Sequence, residues 1–301
     1  MSISNLTPHS TTNNIVLGAI FLILAELCFA GVGATVKALS VDMSQSQLVF
    51  FRNASALVIL LPLLLRKGLT GGVSLLKTER LELHLFRALC GMVAMYGFFY
   101  VLATLTLAQA MMALLLAPFI VPIIARFWLR EVIDRKTMFA IVIGFVGVGV
   151  ILLAKPDKGS PVAFIPTLIS LMCACLVATT KCTIRKLTDT EPSLRIVLYF
   201  TGVATILSAI PMITFWTTLS LTLLPWLLLM GVLAGAGQIL MTKAFALASP
   251  VKIGLLSYTS VVFAAILGAV FWQEMITVSL IAGTLLIVWA ANVTIRQRWF
   301  W

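Results

Sequence analysis

Residues 15–37 read IVLGAIFLILAELCFAGVGATVK, and this apolar stretch sets the class of the whole protein. A helix rises about 1.5 Å per residue, so the length of this stretch matches the ~30 Å hydrocarbon core of a bilayer. Glu26 stands near its middle. Because a charged side chain is costly at that depth, an acid inside a membrane helix predicts a functional site that faces a cavity or a partner.

The composition of the chain is that of an integral membrane protein. Of its 301 residues, 61% are hydrophobic and only 10% are charged, and the mean hydropathy is +1.12. Soluble domains of this size are far less apolar. The net charge of +11 falls mainly in connections between apolar runs, where membrane topology explains it better than nucleic acid does. We therefore expect the lipid bilayer as the surroundings and no nucleic-acid partner.

Ten apolar runs of spanning length follow one another, and short polar breaks separate them. This pattern predicts an all-α integral membrane protein with ten transmembrane helices. A tight turn near residues 107–109 leads into the fourth run, which ends at residue 128, and residues 1–14 form a polar cytoplasmic tail. The other runs cover approximately residues 15–37, 47–65, 85–104, 138–154, 162–181, 195–215, 223–246, 251–272 and 278–295.

The distribution of basic residues predicts how these helices are oriented in the membrane. With the N-terminus in the cytoplasm, most lysines and arginines fall in cytoplasmic connections, among them Arg87 and Lys181. The opposite side keeps only Lys37, Lys155 and Lys158. Such an excess on one side is the positive-inside signal. It predicts that both termini lie in the cytoplasm.

The two halves of the chain resemble one another. Residues 34–37 read ATVK at the end of the first helix, and residues 178–181 read ATTK at the end of the sixth. Each half holds five helices, an odd number, so consecutive halves must cross the membrane in opposite senses. An inverted repeat of this kind places a binding site near the bilayer midplane, between the halves. The two inverted five-helix repeats are expected at residues 15–155 and residues 156–301.

Several short motifs recur in a specific order. The fourth helix carries Leu116-Ala117-Pro118 in its early part and Leu129-Arg130-Glu131 at its end, and the ninth carries Leu256-Ser257-Tyr258 followed by Phe271-Trp272-Gln273-Glu274. In this order and with this helix count, the chain resembles the drug/metabolite transporter superfamily of EamA type. The resemblance implies a ten-helix secondary transporter of the bacterial inner membrane that moves small organic metabolites through a central cavity.

Glu26 is the first candidate for the binding site. It shares one helix face with Ala30 and Gly33, whose small side chains leave room in front of the carboxylate. The carboxylate could contact a cationic part of the substrate or couple transport to protons. The alternative is a structural glutamate that is protonated or paired with an arginine.

Arg52, inside the second helix, is the second charged candidate. It could hold a substrate carboxylate, pair with Glu26, or extend to the membrane surface and anchor its helix. Because Glu26 and Arg52 both belong to the first half, we expect the site to lean toward that half.

Uncharged candidates complete the predicted site. Four aromatic residues near the midplane could line the cavity, although packing between helices or a place at the membrane interface explains each of them as well. Gln238, in the middle of the eighth helix, requires a hydrogen-bond partner. The aromatic residues are Tyr258, Tyr100, Phe98 and Tyr199.

An enzyme is not expected. The only histidines, His9 and His84, stand far apart in the chain, so no histidine cluster suggests a metal or a nucleophile. The glycines of residues 144–149 lack the GK[ST] ending of a phosphate-binding loop, which disfavours an ATP-driven pump. We expect no cofactor and no metal.

The sequence thus predicts a secondary transporter with alternating access. Glu26 and Arg52 would present complementary charges to an amino acid or a cationic amino acid derivative, S-adenosylmethionine being a specific variant. An exporter of lipophilic cationic drugs is the main alternative, and a membrane scaffold or sensor that transports nothing is a second. The glycine-rich helices leave a homodimer open.

The predicted topology can be tested by labelling. Single cysteines are introduced into a cysteine-free variant of the protein and labelled in intact cells. Lys158→Cys should react with a membrane-impermeant maleimide, because the connection at residues 155–161 is expected outside. Lys67→Cys should react only after the membrane is opened. Labelling of Lys158→Cys only after permeabilisation would contradict the expected orientation of the halves.

Overall fold

Helices make up all the regular structure of the described residues. The computed structural model describes residues 14–71, 77–104, 117–131, 134–153, 164–273 and 278–295. Ten helices lie in these ranges, which confirms the predicted all-α class. They are α1 (Ile15–Leu39), α2 (Gln45–Gly71), α3 (Leu81–Thr104), α4 (Ala117–Trp128), α5 (Arg135–Leu153), α6 (Phe164–Leu187), α7 (Ser193–Thr214), α8 (Leu224–Leu247), α9 (Pro250–Trp272) and α10 (Val278–Ile295).

Five of these helices are long and apolar enough to cross a membrane over their described residues. The spanning segments are Ile15–Leu39, Leu81–Phe98, Ser193–Thr214, Leu221–Leu247 and Pro250–Trp272. Two shorter apolar helices cover Ala117–Trp128 and Ile281–Ala290. The predicted turn near residues 107–109 lies outside the described residues.

Local chemistry explains where α1 and α9 begin. The side chain of Asn14 accepts a hydrogen bond from the Leu17 amide at 3.1 Å and caps α1. Ser249 caps α9 in the same way, and Pro250 follows at the first helical position, where its missing N–H costs nothing. After one α-helical turn, α9 tightens into a 3-10 segment over Gly254–Tyr258 before α-helix resumes at Thr259.

The helices pack in a pattern that repeats between the halves. Helix α1 packs against α8 and α9, and α6 packs against α3 and α4. Helix α2 contacts α7 and α8, α3 contacts α7, and α5 packs along α10. If each helix is replaced by its counterpart five places away in the chain, so that α1 becomes α6 and α6 becomes α1, these helix pairs remain the same set. Equivalent helices of the two halves therefore pack against equivalent neighbours.

Contacts between helix ends fix the relative directions of four helices. Lys37 Nζ lies 4.4 Å from the centroid of the Trp272 ring, where α1 and α9 both end. Lys186 Nζ lies 5.5 Å from the centroid of the Trp128 ring, where α6 and α4 both end. The Ser249 hydroxyl is hydrogen-bonded to Glu131, so α4 ends where α9 begins. Within each of the first two pairs the helices run parallel, whereas α4 and α9 run in opposite directions.

The ends of α4 and α9 also share an unusual backbone conformation. Arg130 follows α4 with φ 55°, and Gln273 follows α9 with φ 54°. Few residues other than glycine adopt this left-handed region. Each is followed directly by a glutamate, Glu131 or Glu274.

Glycines in α5 determine how closely this helix approaches α10. A Cβ atom on Gly147 would lie 2.8 Å from the backbone oxygen of Gly283 and 2.9 Å from Leu286 Cβ. A Cβ atom on Gly149, half a turn away, would have no atom within 4 Å. Close packing of α5 on α10 therefore requires glycine at position 147 and not at 149.

These two glycines form a matched pair for a stability test. Gly147→Ala should lower the free energy of unfolding by about 1–3 kcal/mol, because its methyl group forces the helices apart. Gly149→Ala should leave stability unchanged or raise it by up to about 1 kcal/mol, since alanine favours the helix. Denaturation of both purified variants in the same detergent measures the difference, and equal stabilities would contradict the described contact.

Candidate functional site

Glu26 lies in a buried polar cluster of three helices. Only 6% of the residue is exposed, and one carboxylate oxygen, Oε1, lies 3.9 Å from Lys181 Nζ of α6. The lysine donates a hydrogen bond to Ser257 Oγ of α9 at 2.6 Å, and the Ser257 hydroxyl also interacts with the Glu26 carboxylate. The structure thus brings one acid, one base and one hydroxyl together between α1, α6 and α9.

The opposite charges of Glu26 and Lys181 compensate each other inside the protein. The Glu26 and Lys181 side chains are 8% and 11% exposed, so either charge alone would carry a large desolvation cost. Their separation of 3.9 Å exceeds the range of a hydrogen bond, which ends near 3.2 Å for N–H···O contacts. The two groups therefore attract each other without saturating their hydrogen-bonding capacity.

The 3-10 segment of α9 places two adjacent side chains in different surroundings. Ser257 meets Lys181 of α6. Tyr258 is completely buried and packs with residues of α5 and α10, its ring lying against Gly144. Tyr258 was predicted to line the cavity, but the structure places it in a packed apolar core. The residue of this motif that meets the polar cluster is its neighbour Ser257.

Open space adjoins the cluster along α1. Gly33 lies two turns beyond Glu26 on the same helix face and is exposed, and a Cβ atom there would meet nothing within 4 Å. Farther along this face, Lys37 meets Trp272 of α9. The face of α1 that carries Glu26 is therefore uncovered at Gly33.

Arg52 occupies a separate environment. Its Nη1 atom lies 3.5 Å from both Asn53 Oδ1 and Met95 Sδ. Within the described part of the chain, no ion pair joins Arg52 to a carboxylate. The structure pairs Glu26 with Lys181 and not with Arg52, and two of the three cluster residues come from the second half. This cluster therefore does not lean toward the first half, whereas the expectation that the substrate site does so stays a prediction.

Gln238 finds the hydrogen-bond partner that the sequence required. Its Oε1 accepts a bond from Arg87 Nη2 at 2.8 Å, and Arg87 Nη1 donates to the Ile196 carbonyl at 2.6 Å. The guanidinium also lies 4.5 Å from the centroid of the Phe200 ring. Arg87 was predicted in a cytoplasmic connection, but it is 1% exposed inside α3. These contacts tie α3 to α7 and α8, so Gln238 stabilises a buried arginine.

The remaining aromatic candidates are also dispersed. Tyr100 is 43% exposed and lines an apolar groove of 470 Å³ between α3, α6 and α7. Phe98 is half-buried on α3. Tyr199 stacks on His84 with ring centroids 4.4 Å apart, at the start of α7. These side chains thus occupy different parts of the helical bundle.

A polar cluster surrounds Tyr199 and His84. The Glu191 carboxylate lies 4.0 Å from His84 Nε2 and accepts hydrogen bonds from Thr78, at 2.6 Å, and Arg195. Burial raises the pKa of Glu191, but these hydrogen bonds and the charge of Arg195 outweigh burial and lower the pKa below its usual value. A depressed pKa stabilises the fold above the unfolded pKa, and this contribution is lost as the pH falls through the folded pKa.

Sequence reasoning missed Lys181 and Ser257. Lys181 ends the repeated ATxK motif and was assigned to a connection, whereas α6 continues for six residues beyond it. Ser257 stands in a quoted motif whose tyrosine was singled out instead. No group of three or more histidine, cysteine or acidic side chains that could hold a metal occurs in the described ranges.

Comparison with known proteins identifies the family. The model of the EamA-like transporter family matches residues 16–153 and again residues 165–296. The chain belongs to this family. It is therefore a multi-pass membrane transporter of a small molecule, and the family points away from an enzyme.

Named relatives are also transporters. The chain is 31% identical over 283 residues to the pseudopaline exporter CntI of Pseudomonas aeruginosa strain UCBPP-PA14, covering 93% of this chain and 96% of that protein. It is 24% identical over 253 residues to the S-adenosylmethionine uptake transporter of Rickettsia bellii, covering 84% of each. A protein of known crystal structure matches with a TM-score of 0.76 and 20% identity over 95% of this chain and 96% of the other, which supports the fold.

The Arg87–Gln238 contact can be tested by a double-mutant cycle. Gln238→Leu should lower the free energy of unfolding by about 3 kcal/mol, because a buried guanidinium loses an acceptor. Arg87→Met/Gln238→Leu removes both partners and should be more stable than Gln238→Leu alone. Denaturation in detergent provides the measurement, and a double variant less stable than both single variants would contradict the pairing.

Proposed function

We propose that the protein is a secondary transporter that moves an amino acid or a cationic amino acid derivative across the bacterial inner membrane. The observation that carries this proposal is the buried cluster of Glu26, Lys181 and Ser257 between α1, α6 and α9. A transporter needs a polar site inside the bundle that the substrate can reach, and charged side chains in membrane helices typically mark such sites.

Alternating access between two inverted halves, residues 15–155 and residues 156–301, is part of the proposal. Three findings support it: the repeated pattern of helix pairs, the matching Lys–Trp contacts, and the opposite directions of α4 and α9. Since α1 runs parallel to α9 and α6 runs parallel to α4, α1 and α6 also run in opposite directions. Halves related in this way can exchange conformations around a central site.

The contacts favour a state that is closed toward the cytoplasm. Arg185 of α6 donates hydrogen bonds to the carbonyls of Phe245 and Ala246 at the end of α8, and Glu131 joins α4 to the start of α9. The basic connections lie at these helix ends, which the positive-inside rule assigns to the cytoplasm together with both termini. Gly33, which is uncovered, lies toward the opposite face. We therefore infer that the Glu26 cluster forms the inner end of an outward-facing path.

The relatives and the cluster together indicate the substrate class. One relative exports pseudopaline and another takes up S-adenosylmethionine, so direction of transport differs among relatives. An exporter of lipophilic cations requires only an acid and apolar walls, whereas Glu26 has a lysine beside it. S-Adenosylmethionine has an ammonium and a carboxylate, which suit a site with both charges, in addition to its sulfonium cation, and it is our first substrate to test.

Glu26 and Arg52 keep distinct roles in the proposal. Glu26 is the only acid deep inside a predicted helix, so it is the candidate for binding a substrate ammonium and for coupling transport to protons. Arg52 has no carboxylate partner within the described ranges and remains a candidate for a second contact with the substrate.

Uptake by reconstituted protein tests the proposal. Proteoliposomes should accumulate labelled S-adenosylmethionine or an amino acid, and Glu26→Gln should reduce uptake at least about tenfold, because the loss of one charge-assisted contact costs 1.5 kcal/mol or more. Glu82→Gln, an exposed acid in the first turn of α3, is the matched control and should retain uptake.

The folded yield of each variant must accompany the rates. Arg52→Ala should impair transport of a zwitterion more than transport of a lipophilic cation. Equal losses of zwitterion transport and cation transport would indicate that Arg52 has only a structural role. Uptake that is indifferent to Glu26→Gln would remove Glu26 from the mechanism.

A further inference from the structure

We infer that Glu26 and Lys181 form a site for the ammonium and carboxylate of an amino acid headgroup, with Lys181 as the ligand of the substrate carboxylate. In the loaded state the substrate ammonium binds Glu26 and the substrate carboxylate binds Lys181. This inference rests on the proposed function and adds to it a specificity-determining residue and an exchange of ion pairs.

The geometry of the pair leaves hydrogen-bonding capacity for this exchange. At 3.9 Å the two charges attract each other but form no direct hydrogen bond. Lys181 has three N–H donors, and Ser257 takes one of them at 2.6 Å. The Glu26 oxygens can likewise accept several bonds. A ligand that separates the two groups gains charge-assisted hydrogen bonds that the pair itself does not make.

Charge balance selects the ligand. Glu26 and Lys181 together carry no net charge, so a zwitterion can bind without burying an unbalanced charge. An amine that lacks a carboxylate would meet Lys181 as a like charge, and an acid that lacks an ammonium would meet Glu26. Uncompensated charges in a buried site are costly, so both analogues should be rejected.

Ser257 has a defined part in the exchange. Its hydroxyl accepts the hydrogen bond from Lys181 and interacts with Glu26, so it links the two charges. A hydroxyl can also rotate and donate to a carboxylate. When a substrate carboxylate reaches Lys181, Ser257 can donate to the same carboxylate, and this keeps the ligand on the α6 and α9 side.

The surroundings supply both a path and a reason for coupling. The open space at Gly33 lies on the same face of α1 as Glu26. The two charges belong to α1 and α6, the first helices of the two halves, so a ligand that separates them acts directly on the contact between the halves. Binding would therefore weaken one contact between the halves and replace it with contacts through the substrate.

The test measures discrimination between a substrate and its two deletion analogues. A panel of labelled amino acids and S-adenosylmethionine first identifies the best transported compound in proteoliposomes. Its decarboxylated amine and its deaminated acid then compete with the labelled compound for binding. A scintillation proximity assay detects this competition even in variants that cannot transport. Wild-type protein should bind each analogue at least about 30-fold more weakly than the zwitterion, as expected for the loss of one partner of a buried charge pair.

Lys181→Met should bring the affinity for the amine within about threefold of that for the zwitterion. Lys243→Met is the matched control, because this lysine of α8 is exposed, and it should discriminate like wild type. Lys181→Met leaves Glu26 buried without its partner, which could impair folding. The neutral double variant Glu26→Gln/Lys181→Met avoids this problem and should lose discrimination against both analogues.

The outcomes separate the two proposals. If wild-type protein transports no member of the panel, the proposed function fails and the inference fails with it. If wild-type protein transports a zwitterion and the double variant still rejects both analogues about 30-fold, the inference alone is overturned. Lost discrimination in Lys181→Met and the double variant, with the Lys243→Met control intact, would support it.

Discussion

The free-energy cost of burying a charge in a membrane helix determines which polar contacts this protein forms. Glu26 would be unfavourable in the hydrocarbon core by itself, and the structure balances it with Lys181 from another helix. The buried guanidinium of Arg87 carries the same cost. The carbonyl of Ile196, the side-chain oxygen of Gln238 and the ring of Phe200 stabilise it. The two solutions differ in their consequences. The short contacts of Arg87 join helices, whereas the long contact of Glu26 with Lys181 leaves capacity for a ligand.

A repeated frame carries a charged cluster that is not repeated. Helix pairs, end contacts and the left-handed residues Arg130 and Gln273 recur in both halves. The charges do not follow this pattern, since Lys37, the counterpart of Lys181, lies against Trp272 near the C-terminal end of α1. The repeated helices supply the scaffold, and unmatched residues on equivalent helices supply a cluster with one acid and one base.

The sequence was sufficient to predict the helices and their order. Each run had to match the thickness of the hydrocarbon core, so its length and position followed from composition alone. Boundaries were less certain where long basic side chains allow a helix to continue past the apolar core. Helix α6 continues to Leu187, and Lys181 was for this reason mistaken for a residue of a connection.

The candidate site could be predicted only in part. Burial of Glu26 followed from its position in one apolar run, and the need of Gln238 for a partner followed from its surroundings. The identity of each partner depends on which helices meet and on the rotation of each, as with Lys181 and the 3-10 segment that carries Ser257. No pattern within one helix contains that information.

An experimental structure with the transported compound bound tests the central claim most directly. The account predicts that the ligand lies between α1, α6 and α9, with its ammonium at Glu26, its carboxylate at Lys181 and the direct contact between these two residues broken. A ligand bound elsewhere, for instance in the groove beside Tyr100, with the Glu26–Lys181 pair intact would contradict it.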